Sequence, residues 1–430
     1  MTYRSDAPGS APATRSATDP GAPLISPPPP ALLRCAAEVE TPALIYDIPG
    51  VYQTIRRLQG DIEDVVPDSR LNIALKACHT PAVLARFAAW GLGCDVASVG
   101  ELELALATGF TEISVTGPAF STEDFARFRA AGVVPDVDSV SQLEKYGAAF
   151  PGSDVGLRIR IPFPKQLQSP AMFGADSRFG VSATDPEVGK TVVRYGLRVT
   201  RLHVHTGQMI PEALLFKTRY LLTVAEHYRD VAVIDLGGGF YYLYADRSRA
   251  AAAFRQVAAM VSEWRQRHGR ELHLRVEPGA ALLGPYGHLV TEVRAVEDRH
   301  PEYGCRLVTV DSSAWNLTPW HRPQAVPLYS TDAPPEPVRI AGNTLYENDF
   351  FGLGVRGDQH PLILPKPKVG DRILLTAAGA YTMTNSRRFN RIPPPQEYLF
   401  DGVSLTEVSD SAADPAAHAA YLAQEVTALG

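Results

Sequence analysis

Between residues 70 and 280 the chain repeats one unit: a short β-like run, a polar or glycine break, then a helical stretch. The strand-like runs are 71–77, 92–96, 112–116, 133–137, 154–161, 199–205, 231–236 and 271–277, eight in all. Helical patterns such as 99–108, 122–131 and 211–228 separate most of them. Strands alternating with helices pair in parallel, and eight such units predict a closed (β/α)8 barrel. From about residue 285 the pattern changes. Strand-like pieces at 305–310, 337–341 and 372–377 follow one another across Pro- and Gly-rich turns without helices between them. That predicts a C-terminal antiparallel β domain. The expected division is a flexible tail over 1–30, an N-terminal strand over 31–47 pairing with the β domain, the barrel over 48–284 and the β domain over 285–430. Within the last part, 405–425 reads as a loop followed by a short Ala-rich helix.

Composition narrows the function classes. A net charge of −6 with no basic block argues against nucleic acid as the main partner. Cys35, Cys78, Cys94 and Cys305 are scattered with no CxxC pair, which fits a reducing compartment and offers no zinc signature. No run of 18 apolar residues exists, so no membrane span is expected. Residues 1–30 are rich in Pro, Ala, Ser, Thr and Gly and lack a secretory pattern. These features together predict a cytoplasmic protein.

In barrels of this kind the chemistry lies at the C-terminal strand ends, and phosphate binds beyond the seventh and eighth strands. The conspicuous residues fall there. Lys76 ends the first strand, where Asn72, Ala74 and Lys76 share a face by strand alternation. Desolvation at that position lowers a lysine pKa and favours a nucleophilic amine; a stem reaching for solvent is the plainer alternative. Gly237, Gly238 and Gly239 end the seventh strand, where bare backbone can approach an anion. Glu277, before Pro278 and Gly279, ends the eighth, and a carboxylate there can hold a pyridinium N–H. His203 and His205 share a face; one imidazole could stack on a flat ring, and no third metal ligand sits at a suggestive spacing. Asp95 ends the second strand, and Glu101 opens the next helix, where an acid also suits the dipole. Arg158 and Arg160 share a face of the fifth strand and could pair with Asp95 across the barrel.

The segments TPALIYD (41–47), ALKAC (74–78), GCDVASVGELELA (93–105), SRFGV (177–181), HVHTG (203–207), DLGGGF (235–240), VEPG (276–279) and GAYTM…FN (379–390) occur in order. Together they resemble the fold-type III pyridoxal-phosphate (PLP) decarboxylases, the group that includes diaminopimelate and ornithine decarboxylases. The resemblance spans about 41–395. It implies an alanine racemase-like barrel and β domain, PLP as cofactor, an amino-acid substrate, and a homodimer whose two subunits complete each site. It implies that Lys76 forms the Schiff base and His205 stacks on the pyridine ring. Glu277 would bind the ring nitrogen, and Gly237 to Gly239 with the 277–280 loop, Gly279 included, would hold the phosphate. Asp95, Glu101 and Arg158 would form a supporting shell, and Tyr381 would touch the phosphate from the second subunit's site edge.

The chain departs from that family in three places. Position 280 is Ala where EPGR is frequent, and the arginine grips the distal carboxylate of diaminopimelate; diaminopimelate is therefore disfavoured as substrate. Arg322 loosely matches a second carboxylate-binding arginine. In Gly342-Asn343-Thr344-Leu345-Tyr346-Glu347-Asn348-Asp349, Leu345 stands where the protonating cysteine belongs and Tyr346 where a substrate-recognising acid belongs. Glu347, Tyr346 or water is left to supply the proton, with Arg322, Tyr346, Glu347 and Tyr381 at the substrate. The expected activity is a PLP-dependent carboxy-lyase acting on an amino acid or derivative through Schiff-base and quinonoid intermediates. The alternative is a racemase, epimerase or lyase on the same fold. The β domain and the GAY segment argue against a non-catalytic PLP-binding barrel.

Overall fold

The computed structural model describes residues 27–66, 68–167, 172–318, 323–352 and 360–408. Arg322, most of the expected N-terminal tail and the Ala-rich stretch after 408 lie outside them. Ten strands come first: β1 Ala43–Asp47, β2 Arg70–Ala74, β3 Gly93–Val96, β4 Ile113–Thr116, β5 Pro135–Val137, β6 Asp154–Arg160, β7 Val181–Ser182, β8 Arg198–His203, β9 Val233–Asp235 and β10 His273–Val276. Eight of them pair in parallel in the order β5-β4-β3-β2-β10-β9-β8-β6, and β5 pairs with β6 to close the ring. Each expected barrel strand is present. β7 adds two residues to the end of β6.

Alternation along these strands separates two faces. Leu71, Ile73, Cys94, Val96, Val115 and Val137 pack outward into the main apolar cluster beneath the surrounding helices. The opposite face carries polar groups into the barrel. Asn72 donates to Ser114 Oγ (3.3 Å), and Ser114 donates to Asp95 Oδ1 (2.9 Å). Thr116 donates to Asp136 Oδ2 (3.1 Å). The barrel is thus filled by hydrogen-bonded polar groups rather than by layers of branched apolar side chains.

Nine further strands follow: β11 Gly287–Glu297, β12 Arg306–Val310, β13 Ala325–Pro327, β14 Pro335–Ala341, β15 Phe350–Phe351, β16 Leu362–Pro365, β17 Arg372–Leu375, β18 Gln396–Phe400 and β19 Leu405–Glu407. With β1 they form a ten-stranded sheet. Most of its pairings are antiparallel, but β1–β18 and β12–β14 are parallel, so the sheet is mixed rather than the antiparallel one expected. The first two turns of the described chain are also corrected. Pro30–Glu38 is a helix with proline at its start, and only Ala43–Asp47 of 31–47 is strand. That helix buries Leu32 and Ala36 on the sheet against Ile45, Val290 and Phe400.

Candidate active site

A narrow cavity at the C-terminal end of the barrel gathers Lys76, His205, Glu277 and Tyr381. Its walls are the backbone of Gly238 to Tyr241 and of Gly279 to Ala281. A larger, open depression of about 370 Å³ lies at the other end of the barrel beside Asp154 and Arg198. It has no comparable set of converging groups.

Lys76 does not sit on the strand. β2 ends at Ala74, and Leu75–Ala77 form a 3-10 turn that carries the amine to the cavity wall. The side chain meets solvent within the cavity while protein surrounds it on the other sides. Burial alone would lower its pKa, but the carboxylates of Asp95 and Glu277 outweigh that, and the net shift is upward. The expectation of an amine neutralised by desolvation is therefore corrected: its carboxylate neighbours hold the ammonium. Asp95 shows the converse. Burial, and then the charge of Glu277, push its carboxyl well above the ordinary range.

His205 follows β8. Burial pushes its pKa well down, and its Nδ1 accepts a hydrogen bond from Gly238 N (3.2 Å). The ring is therefore neutral with its proton on Nε2. Gly237 N donates to Asp235 Oδ1 (2.8 Å). Two of the three glycine N–H groups expected to face a phosphate are thus engaged inside the protein. Those of Gly239, Phe240, Tyr241, Gly279, Ala280 and Ala281 have no acceptor among the described residues. They open two short helices at the cavity wall, and such helix starts suit an anion. Gly239 is obligatory for its own reason: φ is +95°, and a Cβ would fall 1.9 Å from the Gly207 carbonyl.

Glu277 is buried (3 % exposed). His203 Nε2 donates to its Oε2 (3.3 Å), while Oε1 accepts no hydrogen bond among the described residues. A buried carboxylate oxygen that accepts no hydrogen bond, on a residue lining the cavity beside a lysine, fits a ligand that brings its own N–H, as a pyridinium does. His203, Asp235 and Glu277 also bring three donor atoms within 4.8 Å, a spacing that suits a metal ion. The Arg201 guanidinium already lies against two of those carboxylates, 2.7 Å from Asp235 and 3.7 Å from Glu277. The cluster is therefore read as an ion-pair network. Arg201, Asp136 and Asp235 were not picked out by the sequence reading, although Arg201 stands two residues before His203 on the same strand face.

Other expected residues fall differently. Arg158 does not pair with Asp95; its guanidinium lies over the Phe179 ring (4.5 Å), and Arg160 donates to the Gly180 carbonyl. Glu101 Oε2 accepts from Ala97 N (2.6 Å), and Oε1 holds His79 Nε2 (2.9 Å). Tyr381 lines its own chain's cavity, with its N–H donating to the Ala77 carbonyl (2.9 Å). Tyr346 and Glu347 are not among the cavity residues. Tyr346 stacks on Trp315 (4.1 Å between centroids), and Leu345 beside it is 88 % exposed. Beneath the glycine turn, the fully buried Lys217 donates to the Leu236 carbonyl, and burial brings its pKa down to about 7.

Comparison with known proteins agrees with this geometry. The family model described as pyridoxal-dependent decarboxylase, pyridoxal binding domain, matches residues 52–284. The diaminopimelate decarboxylase of Escherichia coli (strain K12) is 28% identical over 402 residues, covering 86% of this chain and 91% of its own. That of Streptomyces coelicolor is 28% identical over 397 residues, covering 87% of each. A crystal structure of a diaminopimelate decarboxylase superposes with TM-score 0.77 at 25% identity, over 88% of this chain and 93% of that one. The lysine/ornithine decarboxylase of Vibrio vulnificus complexed with putrescine shares the fold: TM-score 0.70, 22% identity, 86% and 97% coverage.

Proposed function

The chain belongs to the pyridoxal-dependent decarboxylase family, and on that premise we propose that Lys76 carries the cofactor and that the substrate is an α-amino acid or derivative other than diaminopimelate. Pyridoxal phosphate supplies an aldehyde for imine formation and an electron sink for the pair released when carbon dioxide leaves. The chain's own residues do the rest. Glu277 would hold the ring N–H and so favour a cationic ring. Neutral His205 offers a flat face and, without a charge of its own, leaves the ring's electrons undisturbed. Gly239, Phe240 and Tyr241 with Gly279, Ala280 and Ala281 would offer backbone N–H groups to the phosphate. Asp95, whose charge acts on Lys76, would receive the proton that Lys76 must lose before it acts as a nucleophile.

The single observation that carries this reading is the buried, donorless Oε1 of Glu277 in the same cavity as Lys76. Borohydride treatment of the loaded protein followed by peptide mapping should place a pyridoxyl group on Lys76, and Lys76→Ala should lose it. A pyridoxyl group on another lysine, or none, refutes the assignment.

Tyr346, Glu347 and Leu345 lie away from their own chain's cavity, and Leu345 projects into solvent. This supports a homodimer in which each copy offers this segment to the other's site. Light scattering should give twice the chain mass. Ala280 leaves no charge to grip a distal carboxylate, and Tyr346 on Trp315 replaces an acid by an aromatic face. A panel of amino acids scored for carbon dioxide release tests the substrate claim. A racemase or epimerase is the second reading, favoured by Leu345, which cannot return a proton to Cα. Loss of optical rotation without carbon dioxide would select it.

A further inference from the structure

Below the cavity the barrel holds charges that the reading above leaves unused. Arg201 projects from β8 into the barrel, its side chain only 12 % exposed. Its Nη2 donates to Asp235 Oδ2 (2.7 Å) and lies 3.7 Å from Glu277 Oε1, and its Nε lies 3.1 Å from Asp136 Oδ2. The barrel wall is shaped around this group. Gly156 is the register partner of Asp136, and a Cβ at 156 would fall 1.8 Å from Asp136 Oδ1. His203, whose pKa burial pushes well down, donates to the other oxygen of Glu277. Arg201 thus stands beside one oxygen of Glu277 and His203 bonds the other, while the residue itself lines the cavity.

We propose that Arg201 is a positioning residue for the cofactor's ring nitrogen: acting through Glu277, its guanidinium holds that carboxylate in the direction that aims it at the ring N–H. The inference rests on the assignment of Glu277 as the ring-nitrogen partner. Asp136, Asp235 and Glu277 share a dry interior, where neighbouring carboxylates raise one another's affinity for protons. Burial pushes Asp136 up to about 7 and Asp235 up to about 6 even with the guanidinium present. Without Arg201, Glu277 loses the cation that stands 3.7 Å from its Oε1 and helps fix its direction. A Glu277 carboxylate no longer aimed at the ring N–H would lose its hold on it, and the ring would lose its proton and with it the electron sink.

The test uses the full-length protein loaded with pyridoxal phosphate labelled with 15N at the ring nitrogen. Ring protonation is read from the nitrogen chemical shift, and cofactor affinity from dialysis equilibrium. The wild type should give the protonated shift. Arg201→Met should move it to the unprotonated position and weaken binding about tenfold, as expected for one lost charge-assisted hydrogen bond. Arg201→Lys should recover part of both. The double variant Arg201→Met/Asp136→Asn removes a carboxylate along with the cation and guards against misfolding of the single variant. A purely structural, charge-balancing Arg201 predicts a wild-type shift in that double variant; positioning through Glu277 predicts that the shift stays unprotonated. A protonated ring in either folded variant overturns the inference. Glu277→Gln separates the two layers. If it leaves the shift unchanged, the Glu277 assignment itself fails; if it moves the shift while the Arg201 variants do not, only the role of Arg201 fails.

Discussion

Lys217 offers the sharpest quantitative test of how the barrel handles buried charge. Its side chain is fully buried, its only described hydrogen bond goes to the Leu236 carbonyl, and its pKa falls to about 7 from 10.5 because burial disfavours the ammonium. In the unfolded chain the amine keeps its ordinary value, so between pH 7 and 10.5 the unfolded state binds more protons and stability rises with pH. Below pH 7 the full penalty applies, about 3.5 pH units or about 5 kcal/mol. Lys217→Met keeps the volume and removes the penalty, but leaves a buried carbonyl without its donor, which costs about 1–3 kcal/mol. The variant should therefore be about 2–4 kcal/mol more stable than wild type at pH 6.5. The advantage should shrink by about 1.4 kcal/mol per pH unit above pH 7 and reverse between about pH 8.5 and 10. Urea midpoints of both proteins, measured at pH 6.5, 8 and 9.5 with the same excess of cofactor, read this directly. A difference that stays constant across that range would show that Lys217 does not change charge there, and the argument from burial would be wrong.

Two other substitutions test the site. Gly239→Ala places a methyl group against the Gly207 carbonyl at a φ of +95°; the turn must open at a cost of about 2 kcal/mol or more. Cofactor should be lost on gel filtration, and retention with an unchanged melting temperature would contradict the geometry. Glu347→Gln should lower kcat by about 10²- to 10⁴-fold if Glu347 supplies the proton in place of a cysteine. Adding Leu345→Cys should recover part of that loss, and an unchanged kcat in Glu347→Gln would assign the proton to another group.

The barrel was legible because its signal is local. Each of the eight strands carries its own run of apolar alternation and its own break, and every one appears in the structure within a few residues of its expected place. The same locality explains the misses. The parallel pairings of β1 with β18 and β12 with β14 join segments far apart in the chain, and nothing in either segment names its partner. The helix Pro30–Glu38 was masked by the proline run before it, although proline at its first turn and Leu32 with Ala36 on one face are helix signals. At the site, Lys76, Glu277 and the glycines were found from their strand ends. The charge of Lys76 was misjudged because desolvation can be read from a neighbouring apolar run, while Asp95 and Glu277 reach the amine only through the closed ring. Arg201 was passed over for a different reason. The i, i+2 rule that placed His203 and His205 together applies equally to it, and its three carboxylate partners lie on β5, on β9 and directly after β10.

The central place of β1 in its sheet bears on how the protein is made. This strand is held on one side by β11 and on the other by β18, whose register partners for Ala43–Asp47 run from Gln396 to Phe400. A ribosome must therefore synthesise the entire barrel sequence before the first strand of its neighbouring sheet meets its last companion. Contacts closed over such a span form slowly, because the loop entropy must be overcome before they stabilise anything. The nascent barrel can condense while Ala43–Asp47 waits with an unpaired edge, and an unpaired edge invites association with other chains. Heterologous production at lowered translation speed or with a chaperone should accordingly raise the soluble yield.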